Sequence, residues 1–121
     1  MTPAARSVRA FAVYLALLAV VLLLAPNLLL RAVGLPPTSE VWVRVVGMLV
    51  AFLGVYYWIA AAVELLPILR ATVLCRLTVP IFFLVFVLAR WALWPLLLFG
   101  VIDAAAALWT WSALRGSAAR A

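Results

Sequence analysis

The chain has 121 residues, of which 72% are hydrophobic and 10% are charged, and nine arginines against three acids give a net charge of +6. A mean hydropathy of +1.37 excludes an ordinary soluble domain, because a fold of this size buries only about two-thirds of the surface that its unfolded chain exposes. Since histidine and lysine are absent, we exclude imidazole acid–base chemistry, His-ligated metals and Schiff-base catalysis, and we expect no catalytic residue, metal or cofactor.

The first apolar run extends from Val8 to Ala25 and predicts a retained transmembrane helix over about residues 8–30. Its core is longer than that of a typical signal peptide, and no small-residue cleavage site follows it. Pro26 predicts either a kink or the start of a short interfacial helix that runs to Arg31.

Gly34 predicts the end of this segment, and turn-forming residues follow it. Thr38 or Ser39 is expected to cap the second helix, with Glu40 in its first turn. The second apolar run predicts a helix over about residues 41–66. At roughly 1.5 Å per residue, this helix is long enough to cross a hydrocarbon core of about 30 Å.

Pro67 predicts the boundary of a third helix over about residues 68–89, which Pro80 should kink. A fourth helix is predicted over about residues 95–114. Four spans joined by short turns predict an all-α fold, a four-transmembrane-helix antiparallel up-down bundle that forms a single membrane domain over residues 1–121.

The distribution of arginines predicts the orientation of the bundle. One side carries both termini and six arginines, which are Arg6, Arg9, Arg70, Arg76, Arg115 and Arg120. The other side carries three, which are Arg31, Arg44 and Arg90. This bias favours a multi-pass membrane protein with both termini in the cytoplasm. Arginines at the ends of apolar runs contact water and membrane lipids, so we predict no nucleic-acid partner.

Small residues recur on one face of two helices and predict close helix packing in lipid. The predicted packing residues are Gly47, Ala51, Gly54 and Ala61 on the second helix and Gly100 and Ala107 on the fourth. The single cysteine, Cys75, is expected to be a small apolar residue buried within a helix.

Asp103 lies near the middle of the fourth predicted helix, where an unpaired carboxylate costs several kcal/mol. We predict that Arg76 is its buried partner, with Arg44 as the rival from the opposite side of the membrane. Such a pair either fixes the register of the bundle or forms part of a site for a ligand, a lipid headgroup or a proton, and the sequence leaves both interpretations open.

Glu64 is expected near the membrane boundary, where Arg70 can reach it across the turn at Pro67. Tyr14 and Tyr57 are available as hydroxyl partners of these charges. The predicted polar cluster therefore combines Asp103, Arg76, Glu64, Arg44, Tyr57, Tyr14 and Arg70.

The second helix opens on Arg44-Val-Val-Gly47, and Gly54 follows one heptad later. This pattern and the layout of the spans resemble the DoxX-like group of small bacterial four-helix membrane proteins, best over Trp42 to Leu114. The resemblance implies a location in the bacterial cytoplasmic (inner) membrane and an accessory role beside a redox complex there. With one cysteine, however, the chain cannot itself perform thiol-pair exchange.

Three functions follow from these observations. The leading interpretation is a non-enzymatic accessory or assembly component that forms a homo-oligomer or joins a larger membrane complex. A second is a small proton-coupled transporter of the multidrug-resistance type, in which Asp103 or Glu64 supplies the membrane carboxylate. A third is an intramembrane isomerase that acts on a lipid or sterol by acid–base chemistry.

Overall fold

In the computed structural model, which describes the backbone of residues 1–120 and the side chains of residues 1–116, the chain forms five α-helices. They are α1 (Pro3–Leu24), α2 (Pro26–Val33), α3 (Trp42–Ala62), α4 (Leu66–Leu88) and α5 (Leu96–Arg120). All except α2 contain a segment long and apolar enough to cross a membrane. The predicted all-α class with four spans is confirmed, and the chain is a multi-pass membrane protein.

The first predicted span is divided into two helices. α1 begins earlier than expected because the Thr2 hydroxyl caps it, accepting a hydrogen bond from the backbone N–H of Ala5 at 3.1 Å. Ala25 breaks the helix with a φ of −146° and a ψ of 61°, and Pro26 then starts α2. Of the two structures that the proline predicts, the chain therefore adopts the short separate helix.

The connection between α2 and α3 differs from the prediction at Thr38 and Ser39. The residue that precedes α3 is Val41, and no side chain caps the helix there. The Thr38 hydroxyl accepts a hydrogen bond from the N–H of Glu40 at 3.1 Å, and the N–H of Thr38 donates to Asn27 Oδ1 at 2.8 Å. Thr38 thus ties this connection to α2 instead of capping α3.

The ends of α2, α3 and α4 share a left-handed residue, at Gly34 (φ 86°), Glu64 (φ 51°) and Arg90 (φ 63°). In each case the following N–H donates to a carbonyl five residues back, a bond that satisfies an orphan carbonyl at the helix end. At Glu64 this turn ends α3 at Ala62, so the expected continuation to residue 66 is wrong. Leu66 and Pro67 instead form the first turn of α4, where the missing proline N–H costs nothing.

The helices are arranged in two antiparallel pairs, α1 with α3 and α4 with α5. We call the end where α1 begins and α3 ends the proximal end, and the end where α2 lies the distal end. Gly47 and Gly54 let α3 approach α1 closely: a Cβ at Gly47 would lie 2.9 Å from Leu22 Cβ, and one at Gly54 would lie 3.4 Å from Leu15 Cβ. Ala61 is also buried, whereas Ala51 is half-buried.

The second pair packs through Gly100, whose Cβ would lie 2.9 Å from Pro80 Cα. Ala107 is buried about two turns further along α5. The two pairs are joined mainly by α1 against α5, whereas α3 and α4 hardly touch each other. Large apolar side chains cover the outer faces of the bundle, as a lipid environment requires. The bundle is therefore incomplete on one side, between α3 and α4.

Candidate functional site

A cavity of about 800 Å³ occupies the space between the two helix pairs, and residues of all five helices line it. Its distal half, beneath α2, is lined by aliphatic and aromatic side chains such as Leu30, Val46 and Phe86. Because α3 and α4 both line the cavity and hardly contact each other, the cavity opens sideways between them. In a bilayer this opening faces acyl chains. The geometry is that of a pocket reached from the lipid phase.

A small cluster of polar residues interrupts this apolar lining. The cavity residues with polar or ionisable side chains are Tyr14, Tyr57, Thr72, Cys75, Arg76 and Asp103. They come from α1, α3, α4 and α5. Such a combination of an apolar enclosure with a few converging polar groups is typical of binding sites for small molecules.

Arg76 is held in place by several hydrogen bonds, although it is charged and only 2% exposed. Its Nε donates to the Thr72 carbonyl at 3.1 Å, and its Nη2 donates to the hydroxyls of Thr72 at 3.0 Å and Thr110 at 2.9 Å. These bonds direct the side chain back towards the proximal end, along its own helix. They explain how a guanidinium is retained at this depth, since an isolated charge there is costly.

The network continues from α5 to α1. The hydroxyls of Thr110 and Ser7 lie 2.7 Å apart and form a buried hydrogen bond. Ser7 also donates to the Ala4 carbonyl at 2.7 Å, which leaves its oxygen free to accept from Thr110. Three helices are therefore connected through one chain of hydroxyl groups that ends on Arg76.

The guanidinium of Arg76 also packs against aromatic rings. Its Cζ lies 4.8 Å from the ring centroid of Phe11 and 6.0 Å from that of Tyr57, within the range of cation–π attraction. One nitrogen, Nη1, is buried and has no hydrogen-bond partner among the described side chains. Buried donors are nearly always paired, so this nitrogen marks an incomplete part of the site.

Asp103 lies in the same cavity but does not pair with Arg76, and this prediction is wrong. The one ion pair within 4.0 Å among residues 1–116 joins the Met1 amino group to Glu64 at 3.8 Å. Arg76 turns proximally to Thr72 and Thr110, whereas Asp103 lies seven residues from Thr110, roughly 10 Å along α5. Both charges therefore border the cavity without contact between them.

The other predicted ionic contacts are also absent among residues 1–116. Arg44, the rival partner of Asp103, donates to the Leu23 carbonyl near the distal end of α1. Glu64 does not meet Arg70: its Oε1 accepts a hydrogen bond from the N–H of Thr2 at 2.6 Å and is exposed. Arg44, Glu64 and Arg70 thus lie outside the cavity. Tyr14 and Tyr57 lie inside it, but their position follows from helix packing and not from the predicted ion pairs.

Sequence reasoning missed Ser7, Thr72 and Thr110. A signal was present, because hydroxyl residues that recur in apolar helices can hydrogen-bond across them. Thr72 precedes Arg76 by four positions, so the two lie on one helix face. Cys75 was expected to be buried but is exposed, and it lines the cavity.

Among the described residues, no three His, Cys, Asp or Glu side chains are grouped so that they could hold a metal ion. The chain matches no protein-family model, no curated protein and no solved structure. Its resemblance to the DoxX-like group stays a prediction.

Proposed function

We propose that the protein is a non-enzymatic membrane component that holds one lipid-phase molecule in the cavity between α3 and α4. The observation that carries this proposal is the laterally open apolar cavity of about 800 Å³ with polar side chains at its proximal half. A volume of this size is within the range of pockets that accommodate drug-sized ligands. A merely structural bundle of four helices would fill this space with side chains.

The proposed role is that of an accessory or assembly component, in a homo-oligomer or a larger membrane complex. The exposed flanks of α3 and α4 support it, because a bundle that is open on one side presents both the cavity and the adjoining helix faces to a neighbour. The resemblance to the DoxX-like group points in the same direction. The bound molecule would then be delivered to, or held for, that neighbour.

We place the protein in the bacterial cytoplasmic membrane with both termini in the cytoplasm. Arg76 no longer counts towards this orientation, because its charge is buried in the bundle. Five arginines then remain on the terminal side against three on the other, and the positive-inside bias keeps its sign. Cysteine accessibility to membrane-impermeant reagents at each terminus would test the orientation.

The experiment for the binding function fills the cavity with a side chain. Ala71 of α4 is exposed and lines the cavity, so Ala71→Phe should block it. Ala105 of α5 is also exposed but does not line the cavity, so Ala105→Phe is the matched control. Both variants are purified from membranes in mild detergent, and the lipids that remain bound are identified by native mass spectrometry.

The proposal predicts that wild type and Ala105→Phe retain one apolar molecule for each chain and that Ala71→Phe loses it. Equal retention by all three proteins would contradict a ligand in this cavity. If none of them retains a molecule, a photoactivatable lipid analogue added to vesicles replaces the endogenous ligand. Labelling of Ala71→Phe at the wild-type level would then contradict the proposal.

One observation favours proton-coupled transport as a second candidate, because Asp103 borders a cavity that a substrate could enter. Glu64, the other candidate carboxylate, is outside the cavity and accepts from the backbone of Thr2. A transporter would therefore use Asp103 alone. Substrate-driven proton flux in vesicles should then disappear in Asp103→Asn and persist in Glu64→Gln, and the absence of any such flux in wild type would refute this candidate.

A further inference from the structure

A second hollow, a groove of about 520 Å³, lies on the outer face of the first helix pair, between α1 and α3. It shares no residue with the cavity, because α1 lines the two with opposite faces. Ala12, Ala19 and Gly54 are buried and form the floor of the groove. The side chains of Leu17 and Val55 are exposed and form its walls. The groove is therefore a narrow apolar channel that faces acyl chains.

The length of the groove matches one lipid chain. Along α1 it extends from Ala12 to Leu23, eleven residues or roughly 16 Å. This is close to half of a hydrocarbon core of about 30 Å, the space that one acyl chain spans in a leaflet. Alanine and glycine on the floor let such a chain lie directly against the two helices.

Arg9 lies at the proximal end of the groove and is held there by a residue of its wall. The Cζ of Arg9 lies 4.0 Å from the ring centroid of Trp58, which lines the groove. Arg9, Ala16 and Val20 share one face of α1 because they are separated by seven and four residues. Tryptophan rings are enriched at the level of lipid headgroups. A cation is thus fixed where the head of a lipid in the groove would lie.

The proximal end of the groove carries positive charge that the described acids do not neutralise. Arg9 is half-buried, and Arg6 is exposed one turn earlier on α1. Neither forms an ion pair within 4.0 Å among residues 1–116. Of the three acids of the chain, only Glu64 lies at this end, where it pairs with the Met1 amino group at 3.8 Å. Two guanidiniums therefore remain for a ligand, and their N–H donors match the oxygens of a phosphate.

We infer that the groove binds a phospholipid of net negative charge, with its phosphate at Arg9 and Arg6 and one acyl chain between α1 and α3. A zwitterionic head would bring a cationic group to two guanidiniums, whereas the head of phosphatidylglycerol carries the phosphate charge alone. A second copy of the chain is disfavoured as the occupant, because a symmetric contact would place each Arg9 near its equal in the other copy. This site is separate from the cavity and does not depend on the function proposed for it.

A photolabelling experiment with an internal reference tests this site. The full chain is reconstituted in phosphatidylcholine vesicles with a trace of a probe, either phosphatidylglycerol or phosphatidylcholine with a diazirine in one acyl chain. Mass spectrometry then locates the labelled residues. The measured ratio is the label at Leu17, in the groove, divided by that at Val101, which is exposed on α5 outside the groove and the cavity. Both residues lie at a similar depth, since they are ten and nine residues from the bonded pair Ser7 and Thr110.

In wild type the ratio should be about tenfold higher with the phosphatidylglycerol probe than with the phosphatidylcholine probe, and Arg9→Gln should reduce this preference to about twofold. Arg115→Gln is the matched control, because Arg115 lies 4.7 Å from the ring centroid of Trp111 at the same end but beside no groove residue. It should leave the preference unchanged. Ala16→Phe, which fills the groove, should lower the label at Leu17 to the level of Val101 with both probes. Ala10→Phe, exposed on the same helix outside the groove, should not.

Arg9→Lys separates the charge from any loss of folding, because it keeps the cation and should keep a preference above about fivefold. Labels at Leu17 no stronger than those at Val101 would show ordinary lipid contact and overturn the site. Equal ratios for the two probes in wild type would overturn the anionic head. Labels at Leu17 that disappear as the protein-to-lipid ratio rises would show a second copy in the groove and also overturn the inference. Ala71→Phe should leave the groove labels unchanged, so the result does not depend on a ligand in the cavity.

Discussion

The hydroxyl network around Arg76 makes a quantitative prediction for Thr110→Val. Valine has nearly the shape of threonine, so the substitution removes one hydroxyl and creates no cavity. The variant loses the Arg76–Thr110 bond of 2.9 Å and the Ser7–Thr110 bond of 2.7 Å. In water-soluble proteins, a bond to a charged group contributes about 1.5–3 kcal/mol and a neutral one about 1 kcal/mol. Hydrogen bonds between membrane helices average only about 0.6 kcal/mol, which lowers the expected sum for the two bonds to about 1–2 kcal/mol.

The free energy of unfolding is measured by titrating SDS into mixed micelles and following tryptophan fluorescence. Thr78→Val is the matched control, because among the described residues the Thr78 hydroxyl bonds only to the Cys75 carbonyl of its own helix, at 2.7 Å. We expect this control to change stability by less than about 0.5 kcal/mol. The contrast between two identical substitutions isolates the contribution of the network between helices.

A double-mutant cycle with Arg76→Met then isolates the guanidinium. If Arg76 donates to Thr110, the substitution Thr110→Val should cost about 1 kcal/mol less in the Arg76→Met variant than in wild type. In that variant, the bonds of the Thr110 hydroxyl to Ser7 and to the Ala106 carbonyl of its own helix remain to be lost, but the bond to the guanidinium does not. Additive effects within about 0.3 kcal/mol would refute the network. A Thr110→Val variant as stable as Thr78→Val would refute it as well.

Three further predictions concern the backbone. Gly47→Ala should destabilise the bundle by about 1–3 kcal/mol in the same SDS titration, because its Cβ would lie 2.9 Å from Leu22 Cβ. Gly54→Ala should cost less than about 1 kcal/mol, because its Cβ would make an ordinary contact of 3.4 Å. Equal losses of stability at both glycines would contradict the described packing of α1 against α3. Arg90→Gly should be more stable than Arg90→Ala by about 1 kcal/mol, because residue 90 has a φ of 63°, and the reverse order would contradict the left-handed end of α4.

The number of spans could be predicted from the sequence because it depends on long apolar runs and on proline, which act locally. Pro26 and Gly34 carry their own backbone preferences, so the short α2 was among the predicted alternatives. The position where α3 ends was not predicted, because a left-handed backbone at Glu64 is contrary to the local preference of that residue. It is stabilised by the return bond to α3 and by the contact of Glu64 with Thr2, which is distant in the sequence.

The candidate site was predictable only in part. Asp103 and Arg76 stand out because charges are rare in apolar helices, and both lie in the cavity. The prediction that they pair was wrong because it considered opposite charges and tyrosine hydroxyls but not threonine hydroxyls. Thr72 is four residues from Arg76, and Thr110 lies on the facing helix. The cavity itself depends on the gap between α3 and α4, which is a property of tertiary packing and leaves no local pattern in the sequence.

The accessibility of a spin label at Cys75 tests most directly whether the space between α3 and α4 is open to lipid. Cys75 is the sole cysteine of the chain, and its side chain lines the cavity. A control label at Leu74→Cys, in a Cys75→Ser background, reports the outer surface, because Leu74 is 67% exposed and lies outside the cavity. We predict that the Cys75 label in vesicles is relaxed efficiently by oxygen, which dissolves in lipid, and weakly by a water-soluble nickel chelate. Low accessibility to both reagents would show a closed, packed interior and would contradict the cavity.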